Sequence, residues 1–165
     1  MKAIVVYESH WGNTAAIARA IAEGIGPGAR ALTTTAAKGD AIAGADLIVA
    51  GSPLLGFSLP TEDMLRSIAS PQPGAPGPAD TSHPSMRSWL EKLTPGAGKY
   101  AAFETRAWIT LGDAVTAIGK LLAAKGYTQA APPEKFKIKG KYGPLKDGEL
   151  ERARAWGAEL AKTLG

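Results

Sequence analysis

The stretch VVYESHWGNTAAIA, Val5 to Ala18, holds the transition on which the fold turns. Its opening residues close a run, Ala3 to Tyr7, that is continuously apolar and β-branched, the pattern of a strand covered on both faces. From Asn13 the apolar residues recur at helical spacing, with Ile17, Ile21 and Ile25 four apart and Ala18 and Ala22 beside them. Between strand and helix stand Glu8-Ser9-His10-Trp11-Gly12-Asn13-Thr14. Such a connection is either a plain turn or a cradle for an anion. A helix amino end carries unpaired N–H groups and about half a positive charge. Ser9, Asn13 and Thr14 add short side-chain donors, and Gly12 permits close backbone approach. No lysine or arginine lies between Glu8 and Thr14. A phosphate held by neutral donors alone suits a tightly kept cofactor better than a nucleotide undergoing phosphoryl transfer.

Outward from this stretch, strand and helix patterns alternate. Gly26-Pro27-Gly28 ends the first helix, a second strand fits Ala29 to Thr34, and Asp40 to Ala45 reads as a short, weak helix. Asp46 to Ala50 is a third, fully apolar strand. A proline-, glycine- and serine-rich segment then runs to about His83, and its middle, Pro71 to Pro78, excludes regular structure. A helix follows with Pro84 in its first turn and Met86, Trp89, Leu90 and Leu93 on one face. Tyr100 to Phe103 is the fourth strand, and Asp113 is a plausible N-cap for a helix carrying Val115, Ile118 and Leu122. Phe136 and Ile138 alternate with lysines, which places a fifth strand at a half-exposed edge. The closing helix turns Leu150, Ala153, Gly157, Leu160 and Leu164 inward. This alternation implies an α/β fold, a doubly wound parallel sheet of five strands in the order 2-1-3-4-5 with helices on both faces. Ligands of such sheets bind beyond the carboxyl ends of the strands, where the winding reverses. The Ser9 to Thr14 loop lies there.

Composition narrows the chemistry. A chain of 165 residues with 45% hydrophobic and 21% charged residues is expected to form one soluble domain, residues 1–165, with the loop insertion at about 58–83. Without cysteine there are no disulfides, thiolate metal sites or cysteine nucleophiles, and His10 and His83 leave little for a metal cluster. No apolar run approaches the roughly 20 residues that span a bilayer, and no signal-peptide pattern opens the chain, so a cytoplasmic protein is expected. The formal charge is +4, with Lys135, Lys137, Lys139, Lys141 and Lys146 crowded together. These lysines suit an acidic partner, or a solvated strand edge protected from aggregation. Aromatic interleaving for base stacking is poor there, and no nucleic-acid partner is expected. Neither G-x-x-x-x-G-K-[ST] nor G-x-G-x-x-G occurs in the first loop. The third strand ends in Gly51, not in the aspartate of a receiver domain.

Three loop motifs in order, Y-x-S-x-x-G-N-T opening a helix, D-L-I-V-A-G-S-P, and A-A-F-E-T-R after the fourth strand, resemble a flavodoxin. The tail G-P-L-K-D-G-E-L-E-R-A-R-A-W-G is similar to that of short flavodoxin-like proteins. The resemblance covers nearly the whole chain, least so from Ser58 to His83. It implies non-covalent FMN, with the phosphate on Ser9, His10, Gly12, Asn13 and Thr14. The ring would lie between the Pro53-Leu54-Leu55-Gly56-Phe57 loop and the loop running from Glu104 and Thr105 through Arg106 to Trp108. Trp11 stands where the family usually has a hydroxyl residue, a loss of roughly 0.5–1.5 kcal/mol unless its indole N–H donates instead. Leu54 and Leu55 replace the threonine and aromatic residue usual in the family.

Two functions follow as expectations. The first is an FMN electron carrier that shuttles electrons between redox protein partners, a monomer by default and without membrane insertion. The alternative is an FMN-dependent NAD(P)H:quinone-type oxidoreductase in which segment 58–83 covers a substrate. A flavodoxin-like fold without its cofactor is a third reading, supported only by Trp11 and Leu54. Gly56 is the candidate for a backbone unit that flips as the flavin changes its protonation. Arg106 at the rim and a pI near 9.4 predict a less negative reduction potential than an acidic relative would have.

Overall fold

The computed structural model describes residues 1–107 and 109–165. Trp108 lies outside the described residues. The chain forms β1 (Ala3–Tyr7), α1 (Asn13–Ile25), β2 (Ala29–Thr33), a 3-10 turn (Gly39–Ala41), β3 (Leu47–Pro53), α2 (Glu62–Ala69), α3 (Met86–Lys92), β4 (Lys99–Ala107), α4 (Val115–Ala124), β5 (Thr128–Gln129), β6 (Glu134–Ile138) and α5 (Glu149–Lys162).

All pairings between these strands are parallel, in the order β2-β1-β3-β4, with β5 and then β6 along the free edge of β4. The order 2-1-3-4-5 therefore holds, with the fifth position filled by two short strands. Between them stand Pro132 and Pro133, which lack the N–H a ladder needs. Period-two alternation divides the apolar residues between two cores. Ile4, Val6, Ile48 and Ala50 face α3 and α4, where Trp89, Leu90, Ile118 and Leu122 meet them. Val5, Leu47, Val49, Phe103 and Phe136 face α1 and α5, with Ile17, Ile21 and Leu160. Lys135 and Lys137 point outward between buried Phe136 and Ile138, as an edge strand requires.

Several local expectations need correcting. The weak helix at 40–45 is a single 3-10 turn. Segment 58–83 is not all loop. The Thr61 hydroxyl accepts from the Met64 N–H, Glu62 and Asp63 fill the first turn, and Leu65 is buried. These are ordinary helix-start signals, overshadowed by the surrounding prolines. Residues 71–78 are irregular, as expected. Pro84 precedes the Ser85 N-cap of α3 instead of lying in its first turn. Asp113 does accept from the Thr116 N–H at 2.9 Å, although Ala114 is the N-cap residue of α4. Most important for the site, β3 runs on to Pro53 and β4 to Ala107. Glu104, Thr105 and Arg106 are thus strand residues, and their side chains alternate between the two faces.

Candidate functional site

The loop after β1, the end of β3 with its following turn, and the end of β4 meet beyond the carboxyl ends of the strands. Together they line a cleft of about 200 Å³. Its walls contain Ser9, His10, Trp11, Asn13, Thr14, Pro53, Leu54, Leu55, Gly56, Thr105 and Arg106. Ala107, inside the expected loop, also lines the cleft, and sequence reasoning missed three further wall residues, Thr110, Ile138 and Lys141. The lysine alternation had signalled the strand but not that its carboxyl end closes the site.

The floor is set by α1. Gly12 is its N-cap residue at φ 92°, a left-handed conformation costing any other residue about 1–2 kcal/mol. The Ser9 hydroxyl oxygen accepts from the N–H groups of Gly12 and Ala15, both at 3.2 Å, which folds the loop back over the helix end. Among the described residues, no acceptor meets the N–H groups of Asn13 and Thr14. The Thr14 and Thr105 hydroxyls are 2.7 Å apart and buried, tying the first loop to β4 beneath the cleft. The turn after β3 is tight: Leu55 and Ser58 exchange backbone bonds at 3.3 Å around Gly56 at φ 61°. Positive φ at the first central position of such a turn is where glycine belongs. The Leu54 N–H donates to the Thr105 carbonyl at 2.9 Å, continuing the ladder under the ring-side wall.

Four expected contact residues are committed elsewhere. His10 is 6% exposed, and its Nε2 lies 2.8 Å from an oxygen of Glu8, itself 3% exposed. Its Nδ1 lies 2.8 Å from the Asp80 carbonyl, which can only accept. Burial pulls the imidazole pKa down, but the bonds to Glu8 and Asp80 outweigh it, and the net shift is upward. Both ring nitrogens of His10 thus face oxygen partners, and the upward shift favours the protonated ring paired with Glu8, whose other oxygen accepts from the Met86 N–H at 2.6 Å. The Trp11 indole donates to the Gly77 carbonyl at 3.1 Å, not into the cleft, and its ring meets Tyr142 edge-on at 4.6 Å. The Asn13 amide donates to the Tyr142 carbonyl at 2.8 Å. Glu104 is fully buried and outside the cleft walls. It accepts from the Ala114 N–H at 2.9 Å and, more weakly, from Val115, anchoring the start of α4. Burial pushes its pKa up against those bonds. The cause is strand alternation: Thr105 faces α1, so Glu104 and Arg106 face α4.

Arg106 reaches the cleft wall while donating to Glu104, to the Gly112 carbonyl at 3.1 Å and to the Thr110 carbonyl. It thereby holds the loop that follows β4. Phe57, at the tip of its turn, is 69% exposed and outside the cleft walls. The proline-rich strap lies against the first loop. The Asp80 N–H donates to the His10 carbonyl at 2.8 Å, returning the bond from the His10 ring, while Gly77 receives Trp11.

A cofactor phosphate fits this donor set: the Asn13 and Thr14 N–H groups at the helix end, which meet no acceptor among the described residues, and the Ser9 hydroxyl, on a loop turned by the left-handed Gly12. Pro53, Leu54, Leu55 and Ile138 give the cleft an apolar side. The cleft falls short of the roughly 300–1,000 Å³ of small-molecule sites, so entry of a ligand the size of a flavin nucleotide requires its rim loops to part.

No protein-family model matches the sequence, and no curated protein matches it. Solved structures do. A flavodoxin from the domain Archaea superposes with a TM-score of 0.68 at 24% identity, over 99% of both chains. Flavodoxin 1 from Bacillus cereus gives 0.65 at 17% identity over 98% of each chain. A flavodiiron core from Synechocystis gives 0.64 at 19% identity, covering 99% of this chain and 36% of that one. At these identities the likeness establishes a flavodoxin-like fold.

Proposed function

We propose that this protein binds FMN non-covalently and carries electrons one at a time between redox proteins. The observation that carries this reading is the convergence of the three loops on one cleft whose floor is the open amino end of α1. The Asn13 and Thr14 N–H groups and the Ser9 hydroxyl would hold the phosphate, on a loop whose turn Gly12 makes. Leu54, Leu55 and Gly56 on one side, and Thr105 to Ala107 on the other, would flank the ring. FMN, when bound, supplies the one-electron chemistry. The residues around it exclude water and set the local charge. The His10 ring shapes the loop without touching the phosphate, since both its nitrogens are already paired, while the Asn13 amide gives one N–H to Tyr142 and keeps the other. Arg106 would place a fixed positive charge beside the ring, which favours the reduced, more negative state.

The quinone-reductase alternative rested on segment 58–83 covering a substrate. The strap's hydrogen bonds run to His10, Trp11 and Tyr142, on the phosphate side. Among the described residues none from 58–83 lines the cleft, and the carrier reading is the better supported.

The test is the visible absorption spectrum of the purified protein, repeated after FMN is added and the excess removed. A retained flavin spectrum with quenched fluorescence is expected. A colourless protein that ignores FMN would overturn the proposal, and rapid NADPH oxidation with a quinone acceptor would shift it to the alternative.

A further inference from the structure

Apart from Met1, the exposed large hydrophobic residues among those described are Phe57, Ile109 and Leu111, at 69%, 82% and 77% exposure. They are not scattered. Gly112 follows Leu111, and a Cβ there would overlap the Phe57 carbonyl, so the two loop tips touch backbone to backbone. Thr110, between Ile109 and Leu111, lines the cleft, as does Gly56 beside Phe57. The three apolar side chains thus stand at the mouth of the cleft. Isolated exposed apolar residues mean little, whereas a cluster at a site mouth marks a contact surface.

The charge around this cluster has one sign on one side. Over 106–113 and 134–142 the sequence holds Arg106, Lys135, Lys137, Lys139 and Lys141 against Asp113 and Glu134. Both acids are engaged within the molecule, Asp113 with Lys135 at 4.0 Å and Glu134 with Arg152 at 2.5 Å. Lys135 and Lys137 point outward from β6, Lys139 is half exposed and pairs with the exposed Asp147 at 3.2 Å, and Lys141 borders the cleft, so positive charge remains in excess. On the α2 side Asp63 pairs with Arg66 and Glu62 accepts from the Ser85 hydroxyl, which leaves no comparable excess.

We infer that the mouth of the cleft docks an acidic redox protein, its apolar centre on Phe57, Ile109 and Leu111 and its carboxylates over the lysines of β6 and the loop after it. This rests on the FMN reading for its redox content but not for its docking geometry. Complementary charge sets the encounter rate and orientation, while the small apolar centre holds the complex only briefly. Transient redox encounters lie at the small end of interface sizes, below about 1,200 Å². A lipid surface is the weaker fit, because the lysines lie along a strand edge to one side of the apolar tips.

The experiment uses two probes, an acidic b-type cytochrome with an exposed haem edge and basic cytochrome c. Each is mixed in stopped flow with the FMN-loaded, photoreduced protein at rising ionic strength. The rate with the acidic cytochrome should fall at least tenfold between about 10 and 300 mM salt, and the rate with the basic one should be flat or rise. Lys139→Glu should flatten the acidic-probe slope. Ile109→Ser with Leu111→Ser should slow that reaction about tenfold with FMN affinity unchanged. Titrating the protein without flavin against a zinc-substituted acidic cytochrome keeps docking readable if no FMN binds. Amide shifts confined to 57, 109–112 and 139–142 would support the surface. Faster reaction with the basic probe, amide shifts elsewhere, a stable homodimer through the patch, or tighter binding to phosphatidylserine vesicles than to the acidic cytochrome would each overturn it.

Discussion

Replacing His10 by alanine should be among the most costly single changes near the site, and the structure allows its size to be worked out. The ring makes two hydrogen bonds, to the Asp80 carbonyl and to the Glu8 carboxylate, both at 2.8 Å. Its removal leaves Glu8, 3% exposed, with only the Met86 N–H as partner. Breaking a buried ion pair from one side costs about 3–5 kcal/mol, reduced where the orphan can take up a proton. A loss of about 3 kcal/mol at pH 6 is expected from urea unfolding, or roughly 6–12 °C in Tm at ~2–4 °C per kcal/mol. The Glu8→Gln/His10→Ala double variant should lose less, since it leaves no charge buried. That variant also isolates the pH dependence. Because the folded pKa of His10 is raised, its contribution is complete below the unfolded value near ~6.5. The contribution then disappears as pH rises through the folded value. The stability gap between wild type and double variant should therefore narrow from pH 6 to pH 9. A loss below about 1 kcal/mol for His10→Ala, or a gap that widens with pH, would refute the ion-pair assignment.

Two further substitutions separate binding from scaffolding. Gly12→Ala forces a side chain into φ 92° and should lower stability by about 1–2 kcal/mol. It should also weaken FMN binding about tenfold, near 1.4 kcal/mol, measured by fluorescence quenching. Glu104→Ala leaves the Ala114 N–H, Val115 N–H and Arg106 guanidinium without their acceptor, for a loss of about 1–3 kcal/mol in urea unfolding. FMN affinity in that variant should stay within twofold, and a larger change would return Glu104 to the cofactor site.

The division between what sequence and tertiary structure decided follows from the range of the interactions. Strand type, helix phase, winding order and the open helix start after Gly12 were legible because they rest on periods of 2 and 3.6 and on conformations local to glycine. Even α2 was legible in principle, since Thr61, Glu62 and Asp63 are a start signal that needs nothing beyond its own turn. The final partners of the polar atoms were not. His10 sits beside the cradle in sequence, but its hydrogen-bond partners are Glu8 and Asp80, and the second is seventy residues away along the chain. Trp11 turns to Gly77, Asn13 to Tyr142, and Thr14 to Thr105. Glu104 lay in a motif that pointed to the ring, yet alternation along a strand that runs on to Ala107, past the expected end at Phe103, turned it toward α4. A hydrogen bond requires only that two groups arrive within about 3 Å, and arrival is settled by sheet register and loop closure. Sequence therefore determined which loops meet beyond the strand ends, and the tertiary structure decided which of their polar side chains are already paired.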